Sequence, residues 1–84
     1  MAHVIELFVA DHCPSCPDAR ARVHEFADAT AGVLVVEHNV EEAVDVAARY
    51  GLFATPAIVV DGRAAFYGVP TLRQLAALVP TEAV

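Results

Sequence analysis

The chain contains two cysteines, and both fall in the segment Cys13-Pro14-Ser15-Cys16. Thiols at this spacing are compatible with three kinds of chemistry. The first is a structural staple, but closing so short a loop stabilises a fold by only about 2 kcal/mol. Such a bond ties together nothing distant, and a reducing cytosol would keep it open. The second is metal binding. Zinc takes four N or S ligands, of which one CxxC supplies two, and His3 and His12 lie beside the motif rather than at finger spacing. The third is dithiol–disulfide exchange, the chemistry a CxxC performs next to a β-α-β pattern in a cytosolic chain.

Position favours the third. Cys13 lies where a β-type run hands over to a helix, and a helix start offers unpaired N–H groups and partial positive charge, both of which stabilise a thiolate. Cys13 is therefore expected to be the better exposed sulfur and the one that attacks. Cys16 opens the apolar stripe of the helix, so it is expected to point inward, stay more protonated and resolve. Pro14 suits the first helical position, where its missing N–H costs nothing, and Pro17 is tolerated in the first turn. Asp11 opposes ionisation of Cys13 by about 0.5–2 kcal/mol, which nearly cancels the helix terminus. The thiol is thus expected to be less acidic than that of a strongly oxidising dithiol.

The elements that must hold this motif alternate along the chain. Val4–Val9 is an almost continuous apolar run, as suits a strand covered on both faces. Cys16, Ala19, Val23, Phe26 and Thr30 recur at helical spacing, with the helix ending near Gly32. Val33–Val36 reads as a second buried strand. Asn39 with Glu42 reads as a capping box for a second helix, whose stripe is Val40, Ala43, Val44 and Ala47 and whose end is Gly51. Ala57–Val60 and Arg63–Tyr67 flank Asp61-Gly62, a strong hairpin signal. Thr71 and Gln74 form a capping box for a last helix lined by Leu72, Leu75, Ala76 and Val79 and stopped by Pro80. The order β-α-β-α-β-β-α predicts an α/β fold: a four-stranded mixed sheet with helices on both faces.

Composition narrows the function further. With 84 residues, 57% of them apolar, the chain is expected to form a single domain over residues 1–84. Eleven acids face five basic residues, all arginine, for a net charge of -6. Arg20, Arg22, Arg49, Arg63 and Arg73 form no basic tract, so nucleic-acid binding is not expected. Uncharged stretches such as Leu52–Val60 are far below the ~18 residues of a membrane span. Nothing at the N-terminus reads as an export leader, so a cytoplasmic monomer away from membranes is expected.

Cys13-Pro14-Ser15-Cys16-Pro17 after a strand, Thr55-Pro56 before the hairpin and Gly68-Val69-Pro70-Thr71 before the last helix together resemble the thioredoxin fold family. The likeness spans about residues 3 to 79, with Ile5-Glu6-Leu7-Phe8 and Tyr50–Pro56 especially similar to small archaeal-type thioredoxins of glutaredoxin size. The resemblance implies a protein dithiol–disulfide oxidoreductase: Cys13 attacks a partner protein's disulfide and Cys16 resolves the mixed disulfide. It implies support from Pro14 and Ser15, and a cis Thr55–Pro56 peptide beside the sulfurs that pairs with the substrate backbone. Phe53, Ala54 and Val69 become candidate substrate contacts, although Phe53 fits the core equally well by residue type.

No bound cofactor is expected beyond a redox-active Cys13–Cys16 disulfide, and no metal. The chain has no flavin or nicotinamide fingerprint, so electrons are expected from a separate thioredoxin-reductase-type donor. Larger thioredoxins carry a Trp-Cys-Gly-Pro-Cys centre and a buried aspartate; the matching positions here are His12–Cys16 and Leu7. A glutathione-dependent, glutaredoxin-like reductase and a CxxC metal carrier are the alternative functions. Asp11-His12 and Val69-Pro70-Thr71 depart from the usual glutathione-binding pattern.

Overall fold

In the computed structural model, residues 3–79 are described. They form β1 (His3–Val9), α1 (Cys16–Ala29), β2 (Val33–Asn39), α2 (Val44–Arg49), β3 (Ala57–Val60), β4 (Arg63–Tyr67) and α3 (Leu72–Leu78). The strands make one mixed sheet in the order β2-β1-β3-β4. β1 is parallel to β2, with Val9 opposite Asn39, and antiparallel to β3, with Phe8 opposite Ala57. β3 and β4 are antiparallel, with Ala57 opposite Tyr67. The expected fold class is therefore the observed one.

Strand alternation sorts the core into two layers. Ile5, Leu7, Val9, Ile58 and Val60 face α1 and α3, meeting Cys16, Ala19, Val23, Phe26, Leu75 and Val79. Phe8, Ala57 and Val59 face the other way, toward Ala47 of α2 with Val46, Tyr50 and Leu52. Full burial of each large apolar side chain contributes about 1.5–3 kcal/mol, and Ile5, Leu7, Phe8 and Ile58 reach it. Glu6, on the α2 face, accepts a hydrogen bond from the Tyr50 hydroxyl (2.9 Å) and pairs with His38 Nε2 (2.9 Å). Its carboxylate pushes the Tyr50 hydroxyl above its ordinary pKa of 10.0, which keeps that O–H a donor. Phe8 stacks on His38 at 4.7 Å and meets Tyr50 edge-on at 6.0 Å. The polar trio and the aromatic trio together seat the end of α2 on β1 and β2.

Local signals behave as their chemistry requires. Asp61 and Gly62 both have positive φ (50° and 82°), the backbone a two-residue hairpin turn needs. The Asp61 carboxylate also accepts the Val4 N–H (2.8 Å) and pairs with His3 (2.6 Å), tying the turn to the start of β1. Thr71 and Gln74 form the full reciprocal capping box on α3.

Three expectations need correction. Val33–Val36 is not a buried strand: β2 is an edge strand, and Leu34 and Val36 are 59% and 37% exposed. The reason is tertiary, because short α2 lies over Phe8, Ala57 and Val59 and leaves Leu34 and Val36 uncovered. Asn39 does not cap α2. Its Oδ1 accepts the Glu41 N–H (2.9 Å) in a local turn, and the helix begins at Val44, leaving Val40 outside it and Val44 exposed. On α3 only Leu75 of the proposed stripe is buried within the helix, joined by Val79 at its cap, while Leu72 is 40% exposed. Pro80, read as the stop of that helix, lies outside the described residues.

Thr71→Ala removes an acceptor for the Gln74 N–H, and the chain should lose about 1 kcal/mol of stability. Urea unfolding should show this as a lower midpoint at unchanged slope.

Candidate active site

The sheet register brings the chemistry-bearing segments to one place. β1 runs out at Val9 toward Cys13, β2 ends beside it at Asn39, and β3 starts there at Ala57, directly after Thr55-Pro56. β4 ends opposite Ala57 at Tyr67, so Gly68-Val69-Pro70 leaves the same end of the sheet. The Thr55–Pro56 peptide is cis, as the resemblance implied, and Pro56 is buried with its carbonyl accepting the Gly68 N–H at 2.9 Å.

Cys13 and Cys16 form a disulfide across Cα atoms 5.3 Å apart. Cys13-Pro14-Ser15-Cys16 is a tight turn closed by the Cys16 N–H on the Cys13 carbonyl (3.2 Å). Pro14 occupies the turn position that favours proline, and Ser15, at φ -94° and ψ -6°, has the backbone of the residue after it. This corrects the expectation for the prolines. Ser15 is the N-cap and Cys16 the first helical residue, so Pro14 stands before the helix. Pro17 is the second helical residue, whose N–H would have no helical partner, so it forfeits no bond. The Ser15 side chain makes no cap hydrogen bond; its hydroxyl lies 4.0 Å from Cys13 Sγ.

Burial of the two sulfurs differs in the expected sense. Cys16 is 3% exposed and belongs to the α1 core layer, whereas Cys13 is half-buried and packs against the edge of that layer. A cleft of about 250 Å³ opens beside them, lined by Asp11, Cys13, Cys16, Pro17, Arg20 and Asn39. Its rim is a polar clamp invisible at short range in sequence. Asn39 Nδ2 donates to Asp11 Oδ1 (2.7 Å), and the Asp11 N–H donates to Glu41 (3.3 Å). Behind it, Glu37 accepts Arg20 Nε (2.7 Å) and pairs with His24 Nε2 (2.7 Å). The His24 hydrogen bond holds the Glu37 carboxyl below its ordinary 4.5; burial opposes it, and Arg20 adds to the lowering.

Phe53, Ala54 and Thr55 do not line that cleft. They border a separate groove of about 400 Å³ along α2, with Val40, Val44 and Leu52. Phe53 is 85% exposed, which removes it from the core; its ring rests on Tyr67 at 4.8 Å. Val69 is 37% exposed. Among the described residues no group of three or more His, Cys, Asp or Glu side chains is placed to hold a metal ion, and no helix is long and apolar enough to cross a membrane.

A family model described as a thioredoxin domain matches residues 3–80. The chain belongs to the thioredoxin family. It is 42% identical over 72 residues to a thioredoxin of Methanocaldococcus jannaschii, spanning 84% of this chain and 85% of that one. A probable thioredoxin of Methanothermobacter thermautotrophicus is 37% identical over 73 residues, again across 84% and 85% of the two chains. The structure of a mutant thioredoxin from Halobacterium salinarum superposes with a TM-score of 0.82 at 28% identity, over 98% of this chain and 77% of that one. A malarial protein shares the fold alone, at a TM-score of 0.80 and 12% identity, over 93% of each chain. With its CxxC disulfide, this member of the thioredoxin family is a thiol–disulfide oxidoreductase acting on disulfide-containing proteins.

The acid limb of stability follows from the paired carboxylates. Glu37 and Asp61 both have folded pKa values below their ordinary 4.5 and 3.8, Asp61 through His3 and the Val4 N–H. Depressed pKa values stabilise the fold above the unfolded values, and that stability is lost as pH falls through the folded ones. The thermal unfolding midpoint should therefore drop as pH falls below about 4.5, and Glu37→Gln should flatten that decline while leaving its Asp61 part.

Proposed function

We propose that Cys13 is the attacking sulfur, that Cys16 resolves, and that partner proteins dock along Thr55-Pro56. The observation that carries this reading is the unequal burial of two sulfurs held in one turn. Cys16, 3% exposed, has no room for a second protein's sulfur, while half-buried Cys13 does. In the thiolate form Cys13 attacks a partner disulfide and forms a mixed disulfide. Cys16 then attacks Cys13, re-forming the internal bond and releasing the partner as a dithiol. Pro14 and Ser15 keep the turn that sets the two sulfurs one helical turn apart, and Pro56 supplies a wall without a competing donor.

Phe53, Ala54 and Val69 supply apolar contact for the partner chain, a role supported by the exposure of all three and by the shared sheet end. The oxidised protein is returned to the dithiol by a separate thioredoxin-reductase-type donor, because the chain itself has no nucleotide fingerprint. It works as a monomer in the cytoplasm, where such donors keep thiols reduced. Glutathione is a poor substrate in this reading, since the exposed carboxylates of Asp11 and Glu41 flank the site and repel an anionic tripeptide.

In Cys16→Ser a disulfide-bonded partner should accumulate as a covalent adduct on Cys13, resolved by gel shift and cleared by dithiothreitol. Cys13→Ser should give no adduct. Equal trapping by both variants contradicts the assignment. Turnover of a protein disulfide should be supported by a dithiol donor and not by glutathione.

A further inference from the structure

The resolving step needs a group that the reaction described above leaves unassigned. Cys16 is 3% exposed and sits in an apolar layer with Ala19, Val23 and Leu75, surroundings that favour the protonated thiol. A thiol is a weak nucleophile, so its proton has to leave as Cys16 attacks. None of its neighbours in the buried layer can take that proton, since among the described residues no buried one is polar or charged. The exit is the cleft of about 250 Å³, which Cys16 lines together with Asp11. At about 30 Å³ per molecule, that volume admits several waters.

We infer that Asp11 is the proton acceptor for Cys16, working through water in this cleft. Asn39 Nδ2 holds Asp11 Oδ1 at 2.7 Å, and the Asp11 N–H is fixed on Glu41. Oδ2 has no hydrogen-bond partner among the described residues and is left to face water. The other charged or titratable groups around Asp11 are its neighbour His12, Glu41 from the turn after β2, and Arg20 from α1. Arg20 Nε is committed to Glu37 and Glu41 accepts the Asp11 N–H, so Asp11 is the acid that lines the cleft together with both cysteines.

The step balances as follows. In the mixed disulfide the Cys16 Sγ–H proton passes through water to the Asp11 carboxylate. The sulfur's electron pair forms the bond to Cys13 Sγ, and the bond from Cys13 to the partner sulfur breaks. The partner leaves as a thiolate and takes a proton from solvent, while Asp11 returns its own to solvent. The dithiol loses two electrons and the partner disulfide gains them. The inference rests on Cys13 attacking first and Cys16 resolving.

One equivalent of a chromogenic aromatic disulfide separates the two steps on the intact, reduced chain. The first coloured thiolate is released as Cys13 attacks, the second as Cys16 closes the ring. Asp11→Asn keeps an oxygen acceptor for Asn39 but no base. Its second phase should slow by roughly tenfold to 100-fold, at or below the lower end of what a positioned general base supplies because the transfer runs through water. Removing a negative charge alone would act in the opposite sense, because it eases thiolate formation. The pH profile adds a readout that a merely structural role would not move. The second phase should be nearly flat across neutrality in the natural chain, and should climb about tenfold per pH unit in Asp11→Asn, as reaction through free thiolate requires. Asp11→Glu should recover most of the rate. A second phase in Asp11→Asn that is unchanged or faster, with an unchanged pH profile, overturns the role of Asp11. A first phase in Cys13→Ser as fast as in the natural chain would instead overturn the assignment of Cys13.

Discussion

β1 is hydrogen-bonded on both edges, to parallel β2 and to antiparallel β3, and that pairing decides where chemistry can occur. A central strand has no free edge, so the chain can only continue from its end, over the top of the sheet. There it meets the end of β2, the start of β3 and the end of β4. The tight turn through Cys13 and Cys16 is built on that meeting point, and α1 then packs back over the face made by Ile5, Leu7 and Val9. One helical turn separates a half-buried sulfur from one inside the core. The difference in exposure between two identical side chains arises from this placement.

Polar contacts do a different task from the apolar layers. Among the described residues no buried side-chain nitrogen or oxygen lacks a partner. The carboxylates that are paired fasten segments far apart in sequence. Glu6 joins β1 to His38 and Tyr50, Glu37 joins β2 to α1, Asp61 joins the hairpin turn to β1, and Asp11 joins the active-site loop to β2. Several of these pairs are solvent-exposed, where an ion pair contributes at most about 1 kcal/mol. Their value lies in geometry: they fix loops that an 84-residue chain has little core to hold.

Features with a short-range cause were legible in the sequence. The Asp61-Gly62 turn, the Thr71–Gln74 capping box and the helical stripe from Cys16 to Phe26 each follow from residues within one or two turns of each other. The CxxC at a strand-to-helix junction was legible for the same reason. Where the cause is tertiary, reading failed. Val33–Val36 has the composition of a buried strand, yet its exposure depends on where α2 lands. Asn39 and Glu42 satisfy the pattern of a capping box, but Asn39 closes a turn on Glu41 while its amide reaches Asp11. Residue type could not separate a buried Phe53 from an exposed one. The clamp between Asp11 and Asn39 and the trio of Glu6, His38 and Tyr50 span 28 to 44 residues, and no local pattern announces them.

Unequal reactivity of Cys13 and Cys16 is the claim on which the function stands, and it is directly measurable. The reduced chain is exposed briefly to limiting iodoacetamide at neutral pH, quenched, and each cysteine's labelling is read by mass spectrometry of its peptide after the other is capped. Cys13 should be labelled at least about tenfold faster than Cys16, a ratio that corresponds to about 1.4 kcal/mol. Equal labelling, or faster labelling of Cys16, would contradict the account.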